Sequence, residues 1–222
     1  MPKLAAIGEL LIDFSPAGTS VNGNTLFERN PGGAPANVAV QAARLGVESA
    51  FLGKVGEDDF GRFLKKTLDD CGVDTRGLVL DPQESTTLAF VQLNEQGDRS
   101  FSFYRNPGAD TQLRPEEINE AVFSGCDLLH YGSLLFTTEP GRGTVYALLE
   151  RARQIGKILS YDPNWREPLW KDRAVGLREM RAGVAYADIL KLSEEELPLL
   201  TGETDLVQGL SALHAMGPAV IA

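Results

Sequence analysis

The sequence predicts an α/β fold: a central, mostly parallel sheet flanked by helices, with a small β-sheet lid. Three observations lead there. Short apolar runs alternate with amphipathic stretches, the pattern of βαβ units. An antiparallel hairpin pattern interrupts that rhythm once. The 222 residues, 43% hydrophobic and 23% charged, have ordinary globular composition.

The elements follow in order. The opening MPKLAAIGELLIDFSP reads as a first strand, Leu4 to Ile12, because it has no basic leader and Glu9 and Asp13 interrupt its apolar run. Residues 15–30 contain Pro16, Gly18, Asn22, Gly23 and Asn24, with Val21, Leu26 and Phe27 interspersed, and are read as further strands of the lid. A helix is predicted over Pro35 to Leu45, a strand over Ser49 to Lys54 and a helix over Asp59 to Cys71. Residues 86–105 read as a hairpin, TTLAFVQLN and RSFSFYR around the turn Asn94-Glu95-Gln96-Gly97-Asp98. Beyond it come a helix over Pro115 to Val122, a strand over Asp127 to Tyr131, a helix over Gly141 to Ile155 and a strand over Lys157 to Tyr161. A helix over Ala174 to Ala187, a strand over Asp188 to Leu192, and helices over Glu194 to Leu200 and Leu206 to Met216 follow. The closing strand, Ala219 to Ile221, reads as the first half of a buried one, so the chain is expected to be the N-terminal portion, 1–222, of a longer domain.

Charge and composition narrow the function. Acidic residues number 31 against 21 basic ones, a net charge of −10 at pH 7, which disfavours nucleic acid or an anionic membrane as partner. The two cysteines, Cys71 and Cys126, form neither a disulfide framework nor a zinc knuckle and fit a reducing, cytoplasmic setting. No apolar run approaches membrane-spanning length.

The common phosphate-loop, nucleophile-elbow and zinc-helix motifs are missing, and no G-x-G-x-x-G follows the first strand. Polar residues at strand ends remain, where open α/β sheets bind ligands. Asp13 closes the first strand; it is either a sugar-hydroxyl acceptor or a turn aspartate. In GGAPANVAVQAARLG, Gly32 and Gly33 allow close backbone approach, Pro35 suits a first helical turn, and Asn37 lies in that turn with an amide donor and acceptor. The alternative is a tight turn with close helix packing. FLGKVGEDDFG reads as a strand, a glycine turn and a helix start, with Lys54 and Asp58 more structural than ligating. Strand alternation puts Phe101, Phe103 and Arg105 on one face, which either closes over a ligand or packs against the sheet or a second subunit. Asp162, Asn164 and Arg166 follow a buried strand; Lys191 and Ser193 end another, before Glu194, Glu195 and Glu196 open a helix. Acidic residues there are ordinary complements of the helix dipole, though one of them also suits magnesium held through water. His130, inside an apolar strand, reads as a core residue.

The ordered set GELLIDF, GGAPANVAVQAARLG, GKVGEDDFG, FSFYRNPGAD, HYGSLLF, SYDPNWREPLW and KLSEEEL…TG resembles the ribokinase-like (PfkB) carbohydrate kinases, and their fructokinases most. The resemblance implies a ribokinase-like fold, lacking its C-terminal part, with lid segments at about 15–30 and 86–105. It implies transfer of the ATP γ-phosphoryl group to a sugar primary hydroxyl, fructose to fructose 6-phosphate, with Mg²⁺ and possibly K⁺. By the same resemblance Asp13, Gly32, Gly33, Asn37 and Arg105 hold the sugar, Phe101 and Phe103 belong to the lid, and Asn164 and Arg166 lie between sugar and phosphates. Lys191, Ser193 and Glu196 match the N-x-x-E region near ATP, with Ser193 in place of the asparagine and Glu196 reaching the metal through water. The family's G-A-G-D segment, which carries the general-base aspartate, does not occur before Ala222, so no catalytic base is assigned and this chain alone is expected to be inactive. A homodimer through the lid is a further implication. The alternatives are a 2-keto-3-deoxygluconate kinase or another sugar kinase of the family, and a non-catalytic sugar-binding or regulatory relic of the fold.

Overall fold

The computed structural model describes residues 3–93 and 99–222. Its strands are β1 (Leu4–Ile7), β2 (Leu11–Thr19), β3 (Thr25–Gly32), β4 (Ser49–Gly56), β5 (Asp74–Asp81), β6 (Leu88–Leu93), β7 (Arg99–Tyr104), β8 (Leu128–Gly132), β9 (Ile158–Asp162), β10 (Ile189–Leu190) and β11 (Val220–Ile221). The α-helices are α1 (Ala34–Arg44), α2 (Asp59–Asp70), α3 (Glu120–Gly125), α4 (Gly141–Gln154), α5 (Arg173–Val184), α6 (Glu196–Thr201) and α7 (Leu206–Met216).

Among the described residues, seven strands pair in the order β11-β10-β9-β8-β1-β4-β5, all parallel. Helices cover both faces, which is why β1 and β4 are apolar without alternation. Ala5, Ile7, Ala50 and Leu52 face a cluster with Phe123, Leu148 and Met180 from α3, α4 and α5. Ala6 and Phe51 face the opposite cluster, with Ala39, Leu64 and Leu68 from α1 and α2. Each large side chain buried this way contributes about 1.5–3 kcal/mol. A second, mixed sheet has the order β3-β2-β6-β7, with β2 parallel to β6 and antiparallel to β3, and β6 antiparallel to β7.

Several elements differ from the sequence reading. The expected strand Leu4 to Ile12 is two strands in two sheets: the chain breaks pairing at Gly8, where any Cβ would stand 2.3 Å from Pro35 Cγ, and β2 leaves the parallel sheet. Asp13 therefore sits in the small sheet, not at the end of a core strand. The edge strand β5 was not anticipated, because DTRGLVLD mixes charge and glycine with its apolar residues. The helix expected over Pro115 to Val122 is a 3₁₀ turn at Pro115–Glu117 followed by α3, which Asn119 starts by accepting from Val122 N at 3.1 Å. The strip at 15–30 and the hairpin supply the small sheet, while the hairpin turn at 94–98 lies outside the described residues.

Candidate active site

Past the C-terminal end of β1, the turn at Gly8-Glu9-Leu10 carries the chain into β2, and β3 returns beside it with Leu11 opposite Gly32 and Asp13 opposite Asn30. That register delivers the glycine pair to the aspartate. A Cβ on Gly32 would stand 2.2 Å from Asp13 Oδ2, so glycine leaves the carboxylate its room. Gly33 has φ +111 and its Cβ would meet the Glu9 carbonyl oxygen at 2.3 Å, so both conformation and space demand glycine here. Gly33 N-caps α1, and one turn on, Asn37 N donates to Gly33 O at 2.9 Å.

Across the site, β9 ends at Asp162, whose Oδ1 accepts from Asn164 N at 3.1 Å. This aspartate turn holds Asn164 at φ 45, a left-handed conformation that asparagine tolerates. Phe101 and Phe103, successive on one face of β7, stack with centroids 5.9 Å apart. The result is a cavity of about 160 Å³ that Asp13, Gly33, Asn37, Asn164 and Arg166 share with both phenylalanines, Glu9, Leu11, Ala34 and Leu134. It is small beside the roughly 300–1,000 Å³ of drug-sized sites and suits a compact polar molecule. A larger, shallow hollow of about 450 Å³ around Asp69, Asp74 and Arg76 shares no residue with it. There Arg76 pairs with Asp74 and Asp69 with Lys65, which leaves less to offer a ligand.

Three polar side chains of this cradle are open. No hydrogen bond engages the Asp13 carboxylate, or the Asn37 or Asn164 side-chain amide, among the described residues. Burial raises the Asp13 carboxyl above its ordinary range, and the nearby Arg166 guanidinium partly opposes that. Glu9 is 2% exposed. Burial pushes its carboxyl up to about 7, against hydrogen bonds from its own N–H and Ala34 N, with Arg105 lowering it and Asp110 raising it. Because the folded value lies above the unfolded one, Glu9's contribution to stability is fully present below about pH 4.5 and is lost as pH rises through about 7.

Arg105 does not share the face of Phe101 and Phe103. β7 stops at Tyr104, so the strand alternation does not extend to it. Its side chain is 4% exposed and grips Asp110 Oδ2 through Nε and Nη2 at 2.8 and 2.6 Å. Two further bonds reach Thr137 Oγ1 at 2.9 Å and Leu134 O at 3.1 Å. Asp110 also accepts from Thr87 Oγ1 at 2.6 Å, so both roots of the hairpin meet at one carboxylate. Arg105 thus lies beside the cavity, fixing the backbone of Leu134, which lines it. Gly32 also lies off this cavity and borders a neighbouring one between α1 and α2.

A second polar cluster forms where β9 and β10 end. Lys191 Nζ stands 3.0 Å from Asp162 Oδ2. Glu196, buried, accepts from Trp165 N at 2.7 Å through Oε1 and from Ser193 N and Oγ at 2.8 and 3.2 Å through Oε2. Burial raises the Asp162 carboxyl, which the Lys191 bond opposes and the Glu196 charge reinforces. The segment from Asn164 to Arg166 joins the two regions, since Arg166 lines the cavity while Trp165 N holds Glu196. Among the described residues no three His, Cys, Asp or Glu side chains are grouped to hold a metal. With both Glu196 oxygens already accepting, the cluster does not fit a metal ion ligated directly by the protein.

Three other residues have structural partners. Lys54 is bonded to Asp81 at 3.0 Å, Glu117 at 2.6 Å and Gln112 O at 3.0 Å. Asp58 caps α2 through Gly61 N and takes Thr86 N and Oγ1. His130 is buried with Nδ1 3.0 Å from Ser160 Oγ, and burial, then the Lys191 charge, pushes it down to about 4. Of the cavity residues the sequence reading passed over, Glu9, Leu11, Ala34 and Leu134, Glu9 is the one with a charged side chain. Its signal was a lone carboxylate between glycine and Leu-Leu, in a run otherwise read as core strand.

Fold and cavity together define an α/β protein with a small-molecule cradle at the carboxyl rim of a parallel sheet, beneath a second sheet. The chain belongs to the pfkB family of carbohydrate kinases, whose profile matches residues 1–222. It is 44% identical over 201 residues to probable fructokinase-2 of Arabidopsis thaliana, covering 90% of this chain and 61% of the relative. The chain therefore spans about three fifths of that relative's length. Among solved structures, fructokinase from Xylella fastidiosa with bound ATP superposes with TM-score 0.88 at 37% identity, over 97% of this chain and 66% of that one. Fructokinase from Vibrio cholerae O395 with fructose, ADP and calcium gives 0.88 at 37% identity, over 100% and 70%; a double mutant of that enzyme has been solved with fructose, ADP and potassium.

Proposed function

We propose that the chain supplies the sugar-binding part of an ATP-dependent fructokinase. The observation that carries this reading is the single cavity in which Asp13, Gly33, Asn37, Asn164 and Arg166 converge beneath Phe101 and Phe103. Asp13 accepts from two sugar hydroxyls, Asn37 and Asn164 donate and accept beside it, and the phenylalanines exclude water, which limits wasteful ATP hydrolysis. Arg105 contributes by position rather than by contact. ATP approaches along the β9–β10 rim, past Lys191 and Ser193, and magnesium arrives on its phosphates with Glu196 reaching it only through water. Potassium is an additional ion of this reading. Among the residues given, none is assigned as the base that takes the hydroxyl proton, so the chain by itself binds fructose without turnover. A cytoplasmic setting accords with Cys71 and Cys126 being free thiols. A second copy would meet the aromatic side of the small sheet that faces away from Asp13, where Phe27 and Tyr104 are exposed around Phe90.

Calorimetry tests the reading. Fructose binds the wild-type chain, no fructose-dependent ADP forms above a matched blank, and a sugar panel ranks fructose first. Absence of heat with every sugar removes the proposal, and ADP production removes its inactive clause. Arg166 in the cavity favours one second reading, 2-keto-3-deoxygluconate, whose carboxylate it would pair; tighter binding of that acid than of fructose selects it. Sugar binding without turnover in a protein that also carries the G-A-G-D segment selects the relic.

A further inference from the structure

Glu9 has a carboxyl oxygen that the fold does not use. Its Oε1 accepts from Ala34 N at 2.8 Å, the first amide of the eleven-residue helix α1. Its Oε2 is fully buried and has no hydrogen-bond partner among the described residues. Leaving a buried polar atom unsatisfied costs about 1–3 kcal/mol, and holding one helix amide requires only one oxygen. Glu9 also lines the same cavity as Asp13, Gly33, Ala34 and Asn37, and its carbonyl oxygen is the atom that excludes a side chain from Gly33. An unsatisfied acid thus sits in the wall of the site proposed above for the sugar.

We propose that Glu9 is a further sugar-binding residue, in which Oε1 stays on the α1 N-terminus while Oε2 takes a hydroxyl of the bound sugar as its hydrogen-bond partner. The inference rests on the sugar-binding reading and deepens it. Near neutral pH the two protonation states behave differently. The neutral acid donates from Oε2 to a hydroxyl oxygen and places no charge beside Asp13. The carboxylate offers only acceptors and puts a second negative charge in the cradle. The neutral form is therefore the binding form, and affinity falls as pH rises through about 7, where the buried acid ionises. The charged groups acting on Glu9 are Arg105 and Asp110, paired with each other, while Asp13 and Arg166 line the same cavity.

The test is fructose affinity by calorimetry at pH 6 and pH 8, for wild type, Glu9→Gln and Glu9→Leu. Glutamine keeps an oxygen for Ala34 N and an amide donor in place of the acid proton, without titrating. The wild-type chain is expected to lose about tenfold in affinity between the two pH values, following one ionisation near 7. Glu9→Gln has a flat profile and binds more tightly than wild type at pH 8. Glu9→Leu, where its melting curve shows it folded, binds at least about tenfold more weakly than wild type at pH 6, as expected for one lost buried hydrogen bond. Equal pH slopes in wild type and Glu9→Gln overturn the assignment while leaving fructose binding in place. No binding of any sugar at either pH removes the sugar reading and this inference with it.

Discussion

The cradle and the polar cluster at the β9–β10 rim are made of the same kinds of residue, yet their hydrogen-bond states are opposite. In the cradle the carboxylate of Asp13 and the side-chain amides of Asn37 and Asn164 have no internal partner among the described residues. At the rim, Glu196 joins three donors from Trp165 and Ser193, and Asp162 joins Asn164 N and Lys191. Polar groups left open along a cavity wall are available to a ligand; polar groups closed on the backbone hold a loop in place. The rim therefore has first a positioning task, because it fixes the loop that delivers Asn164 and Arg166 to the cradle.

Substitutions test that division, and the largest effect is expected at Gly33. Gly33→Ala brings both a strained φ and a methyl group 2.3 Å from the Glu9 carbonyl. Denaturant unfolding should register a loss of about 3 kcal/mol, and fructose affinity should fall roughly a hundredfold or more. An unchanged midpoint would mean that the glycine turn is not the rigid floor described here. Next comes a reciprocal pair. Asp13→Ala should weaken fructose binding by about 10- to 100-fold while leaving the melting temperature level or higher, since it removes a half-buried carboxylate with no internal partner. Glu196→Ala should act mainly on stability, costing about 1–3 kcal/mol by stranding partly buried donors, and should weaken fructose binding only about threefold, through the loosened loop that carries Asn164 and Arg166. If the two variants behaved alike, the contrast would fail. The smallest effect is expected at Lys191, whose side chain is 58% exposed in its pair with Asp162. Lys191→Met should cost about 0.5–1 kcal/mol in a thermal melt and leave fructose titrations unmoved; a shifted fructose Kd would connect the two regions more closely than their bonds indicate.

Much of the parallel sheet was legible because burial on both faces writes a strand as an unbroken apolar run, as in β4, and β5 escaped notice because as an edge strand it tolerates charge. GELLIDF was misread for a related reason. Nothing in its hydropathy records that Gly8 passes under Pro35 and that the strand changes sheets there. Gly33 and Asn37 were legible as cavity residues because short-range pattern places them at a helix start, whereas Asp13 was read at a strand end that it does not occupy, since β2 continues to Thr19. Arg105 was not legible, since its direction is fixed by Asp110 five residues on and by the distant Thr137, after strand periodicity has ended. Glu9 was hidden as well, because the carboxylate that borders the cavity sits among residues that announce a core.

Thr87 precedes the hairpin and Arg105 follows it, and both are moored to Asp110, which is 1% exposed. β6 also pairs with β2, Ile12 to Phe14 lying opposite Leu88 to Phe90, and Ala89 is opposite both Asp13 and Phe103. The aromatic wall nearest the aspartate is therefore tied to it through one shared strand, and their separation is set by the sheet itself.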